Sequence, residues 1–251
     1  MKRLVPADRY LRFGGFPAPR LVEIAIDGAP AYLRGLRALF LSDVHLRPNT
    51  PDAALGALIA QMAACAPDLI LLGGDYAESA RDCLRFFEAL RGLHPALGCF
   101  AAPGNNDRWT GLARFAARGE AALLINEART IALPGGALSI GGVDEHKYGL
   151  PDSRDLFPAG AGYRILLSHF PVMPDCACEL MLSGHTHAGQ FNLLGLTPYA
   201  LKFERRYAML AVRGQGMRGS MRYLVGNGVG VSRIPLRVGA EPQLYLLKFS
   251  I

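Results

Sequence analysis

The chain has 251 residues, 51% of them hydrophobic, with a mean hydropathy of +0.18, so it can bury a sizeable core and is not a disordered polyelectrolyte. Its 27 Lys and Arg against 21 Asp and Glu leave a net charge of +6, which suits an anionic substrate, a nucleic acid or an anionic membrane surface. Five cysteines (Cys65, Cys83, Cys99, Cys176, Cys178), odd in number and three of them inside apolar segments, argue against a disulfide framework and for a reducing compartment.

The first residues, MKRLVPADRYLRFGG, are basic but lack the apolar run of a signal peptide. The longest apolar stretch, 55–72, is interrupted by Gln61, Pro67 and Asp68 and reads as helix, turn and strand, not as a membrane span. The expected location is the cytoplasm, with peripheral contact at the inner face of the membrane. Residues 1–36 read as an N-terminal arm packed on the domain, and 37–251 as a single domain.

From residue 37 a pattern repeats. The apolar run 37–42 predicts a buried strand that ends at Asp43-Val-His45. Thr50 and Pro51 predict a helix start, as cap and first position, with Leu55, Leu58, Ile59 and Met62 on one face. A second strand, 69–72, ends at Gly73-Gly-Asp75, and a helix follows near 80–90. A third, 99–102, ends at Gly104-Asn-Asn-Asp107, before a helix near 112–117 and a strand at 122–125. Strand, loop, helix, strand is the parallel βαβ pattern, and in such sheets ligands bind at the carboxyl ends of the strands. Farther on, 163–168 delivers His169, and 180–183 delivers Gly184-His185-Thr-His187. The short strand-like segments after residue 130 predict a second sheet on the first.

Seven N/O donor residues therefore stand at five strand ends: Asp43, His45, Asp75, Asn105, His169, His185 and His187. Each alone is more often a capped or solvated residue than a ligand; together they predict a metal site. Imidazole with carboxylate suits Mn, Fe or Zn. Two divalent ions need an anionic bridge, for which Asp75 is the candidate, and a two-metal centre activates water as hydroxide and clamps an in-line phosphoryl displacement.

Asp43-x-His45, Gly74-Asp75, Gly104-Asn105, His169 and the Gly184-led His185/His187 pair resemble the five ordered motifs DxH, GD, GNH(D/E), H and GHxH of the calcineurin-like metallophosphoesterases. The resemblance implies an α/β fold in four layers, αββα, with two mixed sheets flanked by helices. It also implies two divalent metal ions: one on Asp43, His45 and His187, the other on Asn105, His169 and His185, with Asp75 between them. The HTHAGQ run, Arg205-Arg206-Tyr207, Asn227-Gly-Val-Gly and Pro235-Leu-Arg237 are similar to a membrane-associated bacterial branch that includes UDP-2,3-diacylglucosamine pyrophosphatases and broad phosphodiesterases.

One position departs. Asn106 stands where the family usually has the His that, paired with the acidic residue after it, assists the leaving group. Asn106 and Asp107 are thus candidate catalytic residues of altered chemistry, because an amide donates a hydrogen bond but delivers no proton near neutral pH. Activated diesters and diphosphates should then be cleaved better than alkyl monoesters. His146 is the better placed of two histidines that could substitute, though a surface-loop histidine is the simpler reading.

Lys202, Arg205, Arg206, Arg213, Arg218, Arg222, Arg233, Arg237 and Lys248 face only Glu204 and Glu241 in the last fifty residues. They read as a solvated basic surface or as a phosphate-binding rim, with Arg205 and Arg206 the substrate-binding candidates. Phe191, Leu193, Leu194, Leu196 and Tyr199 read as core, or as a loop that meets an acyl chain or a bilayer. The expected function is hydrolysis of a phosphodiester or diphosphate bond in a phosphorylated small molecule or lipid, with an anionic membrane surface as a further partner. The rivals are a catalytically weak scaffold on the same fold and a nuclease-type phosphodiesterase; nucleic acid is disfavoured by the lack of aromatic–basic interleaving.

Overall fold

The computed structural model describes Asp8, residues 10–197 and residues 208–250. In chain order its strands are β1 (Leu11–Phe13), β2 (Arg20–Ile26), β3 (Arg37–Leu41), β4 (Leu69–Leu72), β5 (Cys99–Ala101), β6 (Ala121–Leu123), β7 (Glu127–Leu133), β8 (Gly136–Gly142), β9 (Tyr163–Leu167), β10 (Leu180–Ser183), β11 (Gly214–Arg218), β12 (Met221–Val225), β13 (Leu236–Val238) and β14 (Gln243–Phe249). The α-helices are α1 (Asp52–Ala64), α2 (Ala80–Leu90) and α3 (Leu112–Ala116). None of the described helices is long and apolar enough to cross a membrane.

Two six-stranded mixed sheets form, in the orders β2-β14-β3-β4-β5-β6 and β11-β12-β10-β9-β8-β7. The short central strands are apolar at nearly every position because both their faces are covered. On β3 and β4 the alternation is clean. Leu39, Leu41, Ile70 and Leu72 pack with Leu55, Leu58, Met62, Phe86 and Phe87 of α1 and α2. Ala38, Phe40, Leu69 and Leu71 face the other way, onto Leu138, Ile140, Ile165, Leu167, Leu180 and Leu182 of the second sheet.

The expected class, α/β with two packed mixed sheets and helices, is the one observed. In the fourth layer the outer face of the second sheet (Leu166, Met181, Tyr223, Val225) meets Leu156, Phe157, Cys176, Cys178 and Leu210 from irregular segments. Pro151, Pro158, Gly160, Gly162, Pro171 and Pro174 break any helical run there. Two local differences have simple causes. Pro51 precedes α1 instead of opening it, at ψ 142°, and the Thr50 hydroxyl accepts from Arg47 N at 3.1 Å, so it caps nothing. Within residues 1–36, β2 pairs in parallel with β14 along its length and is the edge of the first sheet.

β3, β4, β5 and β6 run parallel in one sheet, and β8, β9, β10 and β12 in the other. Their carboxyl ends hand over to the loops that begin at Ser42, Gly73, Ala102, Val143, Ser168, Gly184 and Gly226. These loops carry the chemistry.

Candidate metal centre

Regular structure stops at those strand ends, and the donors occupy strained backbone. Asp43, His45, Asp75, His185 and His187 all have φ between 46° and 71°, the left-handed region that L-residues avoid. The chain folds that way because other groups fix each turn. Asp43 N donates to Gly74 O at 2.8 Å and His45 N to Asp75 O at 3.0 Å, which locks the first two loops together. Gly104 lies directly under Asp75: a Cβ there would stand 2.2 Å from Asp75 Oδ1.

Two clusters of donor atoms result, each within 4.8 Å: Asp43, His45 and His187, and Asp43, Asp75 and His169. In the first, His45 Nε2 is 3.1 Å from His187 Nε2, and His187 Nε2 is 3.3 Å from Asp43 Oδ1. Asp75 Oδ2, in the second cluster, lies 3.5 Å from Nε2 of both His45 and His169, one histidine of each cluster. Asn105 sits on the adjoining turn, whose Asn106 N–H donates to Asp75 Oδ1 at 2.8 Å. The His185 ring lies 5.2 Å from that of His169 and stacks on Phe170 at 3.7 Å, so the two histidines of the GHTH run go to opposite sides of the centre.

The tautomers suit metal ligation. His169 Nδ1 is 2.7 Å from Gly73 O, which can only accept, so Nδ1 carries the proton and Nε2 is turned inward. His45 Nδ1 is 2.6 Å from the Glu78 carboxylate, with the same consequence. Both Asn105 Oδ1 and His169 Nε2 are buried without a hydrogen-bond partner among the described residues. Buried polar atoms are rarely left so, and a divalent ion is a partner that fits an amide oxygen, imidazoles and carboxylates together.

The charges respond to this crowding. Burial raises the Asp43 pKa, with the His169 charge opposing and that of Asp75 reinforcing. Burial opposes ionisation of Asp75 too, but His169 and His45 hold its pKa well below the usual carboxylate range. Burial disfavours the His169 imidazolium, yet the Asp75 and Asp43 charges lift its pKa to about 10. Burial leaves His185 and His187 neutral.

Asp107 accepts from Asp75 N, Tyr76 N and Gly104 N at 2.7, 3.0 and 2.8 Å. Both its oxygens are thereby committed to backbone, so it holds the turn. Burial, then the Asp75 charge, push its pKa up against those three bonds. The Asn106 amide nitrogen lies 3.1 Å from His45 Nδ1, on the side of that ring turned to Glu78.

Two further residues had no clear signal in the sequence. Glu78 follows the GD motif by three positions and resembles part of a helix start. Arg237, which reads as one of a basic run, is 1% exposed. Its guanidinium donates to the carbonyls of Asn227 (2.8 Å), Ala240 (3.2 Å), Gly228 (3.2 Å) and Gly230 (2.8 Å, and a second contact), and its Nη2 also stands 3.1 Å from His187 Nδ1. The loop so held returns to the site, where Gly230 N donates to Asp43 O at 2.6 Å. Burial lowers the Arg237 pKa to about 10.

The basic run is therefore no single surface. Arg213 pairs with Asp8 at 2.7 Å and Lys248 with Glu23 at 2.6 Å. Lys202, Arg205, Arg206 and Tyr199 lie outside the described residues. Leu193, Leu194 and Leu196 are 66%, 84% and 54% exposed, so that stretch is not core.

The model of the calcineurin-like phosphoesterase family matches residues 36–189, more than half of the chain. The phosphodiesterase YaeI of Escherichia coli (strain K12) is 32% identical over 230 residues, which cover 84% of this chain and 81% of that protein. The UDP-2,3-diacylglucosamine pyrophosphatase LpxG of Chlamydia trachomatis is 39% identical over 88 residues, 34% of this chain and 26% of that protein. A solved Staphylococcus aureus chain described as a 5'-nucleotidase superposes with a TM-score of 0.50 at 9% identity, covering 86% of this chain and 55% of its own length, a likeness of fold alone.

Proposed function

The chain belongs to the calcineurin-like phosphoesterase family and is a metal-dependent phosphoric ester hydrolase, and from that premise we propose that it cleaves a phosphodiester or diphosphate bond at two divalent ions, of Mn, Fe or Zn type. Asp43, His45 and His187 would hold one ion and Asn105, His169 and His185 the other, with Asp75 as the carboxylate shared between them. The observation that carries this assignment is Asp75 Oδ2 at 3.5 Å from the Nε2 atoms of both His45 and His169. When bound, the ions supply Lewis-acid polarisation of the phosphoryl oxygens and an activated water.

The chain's own residues orient these donors and select the leaving group. Gly73 O and Glu78 fix the rings of His169 and His45. The Asn106 amide donates a hydrogen bond toward the reacting group and delivers no proton, and Asp107, tied to three backbone N–H groups, does not repair this. A proton donor is typically worth about 10²–10⁴ in rate when the leaving group is poor. Diphosphates and aryl diesters, whose leaving groups are good, are then the better substrates.

The finer reading is a UDP-2,3-diacylglucosamine-type pyrophosphatase, or a related hydrolase of lipid or envelope precursors working beside an anionic membrane. The exposed Leu193, Leu194 and Leu196, with Leu11 and Phe13 at 75% and 78% exposure, support contact with an acyl chain or bilayer. A hydrolysis panel on Mn²⁺-loaded protein tests both levels, comparing an alkyl phosphate monoester, p-nitrophenyl phosphate, its bis-ester, a nucleoside diphosphate sugar and UDP-diacylglucosamine. The bis-ester and diphosphates should turn over well ahead of an alkyl monoester, and Asp75→Asn should abolish all activity. Equal turnover of alkyl monoesters would remove the role given to Asn106. Aryl-ester cleavage alone would remove the lipid substrate.

A further inference from the structure

The loops that leave β5 and β8 end beside the metal centre, and each carries a cation next to an aromatic ring: Arg108-Trp109 and Lys147-Tyr148. Trp109 is 74% and Tyr148 47% exposed. Their ring centroids are 6.4 Å apart at an interplanar angle of 66°. Arg108 Cζ stands 5.6 Å from the Trp109 centroid, and Lys147 Nζ 4.7 Å from that of Tyr148. The two pairs are 39 positions apart in sequence, which is why the chain shows no aromatic–basic interleaving when read linearly.

The surface is built, not accidental. Arg108 Nη1 donates to Tyr148 O at 2.6 Å and joins the two loops. Glu145, 3% exposed, accepts from Lys147 N and Tyr148 N at 2.7 and 2.6 Å. Asp144 accepts from Glu145 N and Leu150 N, and Asn126 Oδ1 from Asp144 N. The backbone that carries the rings is thus fixed before any ligand arrives, which lowers the ordering cost of binding. The place is adjacent to the chemistry. Trp109 lies three residues past Asn106, whose N–H donates to Asp75 Oδ1, and His146, the neighbour of Lys147, packs on Phe170 at 5.5 Å, the ring against which His185 stacks.

A surface of this make-up selects its ligand. An acyl chain has no use for the two cations, and inorganic phosphate has none for the two rings. A nucleobase offers a π-face, and the phosphates attached to it offer negative charge. We propose that Trp109 and Tyr148, with Arg108 and Lys147, form a subsite for the nucleoside phosphate half of a nucleoside diphosphate ester, and that this subsite sets the substrate class of the hydrolase. The proposal rests on the metal-centre reading given above, since the scissile phosphorus must reach Asp75 and its neighbours.

Trp109 is the only tryptophan in the chain, so its fluorescence reads this subsite directly, with or without metal. The full-length protein is titrated with UMP, AMP, ribose 5-phosphate and inorganic phosphate. Both nucleotides should quench Trp109 saturably while the two base-free ligands do not, and Tyr148→Ala should weaken the nucleotides about tenfold. Trp109→Ala should raise KM for a nucleoside diphosphate sugar about tenfold and leave kcat nearly unchanged. Quenching by ribose 5-phosphate equal to that by UMP would overturn the proposal. So would a single-stranded oligonucleotide that binds about 100-fold tighter than either nucleotide, which would make the surface a nucleic-acid platform. Bis-p-nitrophenyl phosphate separates the two levels. Hydrolysis without any nucleotide quenching removes the subsite and leaves the metal centre; nucleotide quenching without hydrolysis does the reverse.

Discussion

Replacing Glu78 by glutamine keeps the side-chain volume and one accepting oxygen but removes the charge that faces His45. The contact is short, 2.6 Å from Oε1 to Nδ1, and the His45 side chain is 1% exposed while that of Glu78 is 34% exposed. One end of the pair is dry and the other is partly screened. Second partners of this kind usually contribute about 10- to 100-fold in metal affinity or activity. Partial screening places Glu78→Gln near the lower end, about tenfold, or about 1.4 kcal/mol. Glu78→Ala also frees the His45 ring to rotate and should approach 100-fold. The assay is competition for Mn²⁺ or Zn²⁺ between the metal-free protein and a chelating indicator, followed by kcat at saturating metal. The ordering wild type, Gln, Ala is the signature of a residue that orients and polarises a ligand. If both variants bind metal as the wild type does, His45 is not a ligand through Nε2, and the assignment of the first ion fails with it.

Three more perturbations address the scaffold around that ligand. Arg237→Met should destabilise the fold by at least about 3 kcal/mol, since four buried carbonyls lose their donors at about 1–3 kcal/mol each; a melting temperature lowered by less than about 5 °C would show that the carbonyls find other partners. Gly104→Ala should reduce activity by more than about 100-fold, because its Cβ would meet Asp75 N and Oδ1 at 2.4 and 2.2 Å and neither can retreat; wild-type kinetics would mean Asp75 does not set the geometry. In the metal-free protein the His169 pKa is raised from 6.5 to about 10, so its protonation contributes stability that is complete below about pH 6.5 and lost as pH rises through about 10. Melting temperature in chelator should fall across that window, and metal binding, which needs neutral imidazole, should release protons measurable by calorimetry in buffers of different ionisation enthalpy. A pH-independent melt would remove the buried imidazolium.

What could be read in the linear sequence follows from where the information lies. Asp43-x-His45, Gly74-Asp75 and Gly184-x-Thr-His187 each sit within one loop after one apolar strand. A pattern of apolar run, glycine and donor therefore reveals both the strand and the residue, and the structure brings these residues to one sheet edge. Glu78, Arg237 and the Trp109–Tyr148 pair act across loops. Arg237 comes from β13, far in sequence from the His187 and Asp43 loops it supports, and no local spacing distinguishes it from its basic neighbours. The edge strand β2 escapes for a related reason. Its residues, RLVEIAI, are half-buried or exposed except for Ile26, and its parallel partner β14 lies at the other end of the chain.

The cross-loop residues share one physical role. Loops at the carboxyl edge have no ladder to satisfy their backbone groups, yet much of that backbone is buried and must find partners. Charged side chains meet the need. Asp107 takes three N–H groups, Glu145 takes two, Asp144 takes two, and Arg237 donates to four carbonyls. These contacts hold residues such as Asp43 and Asp75 at left-handed φ, a strain of about 1–3 kcal/mol each that isolated loops would relax. The donors therefore converge before a metal binds, and their like-charged and bare nitrogen atoms are kept closer than they would choose. That enforced crowding is the most direct physical reason to expect divalent cations here: positive charge among Asp43, Asp75 and the inward-turned imidazole nitrogens relieves the repulsion that the scaffold imposes.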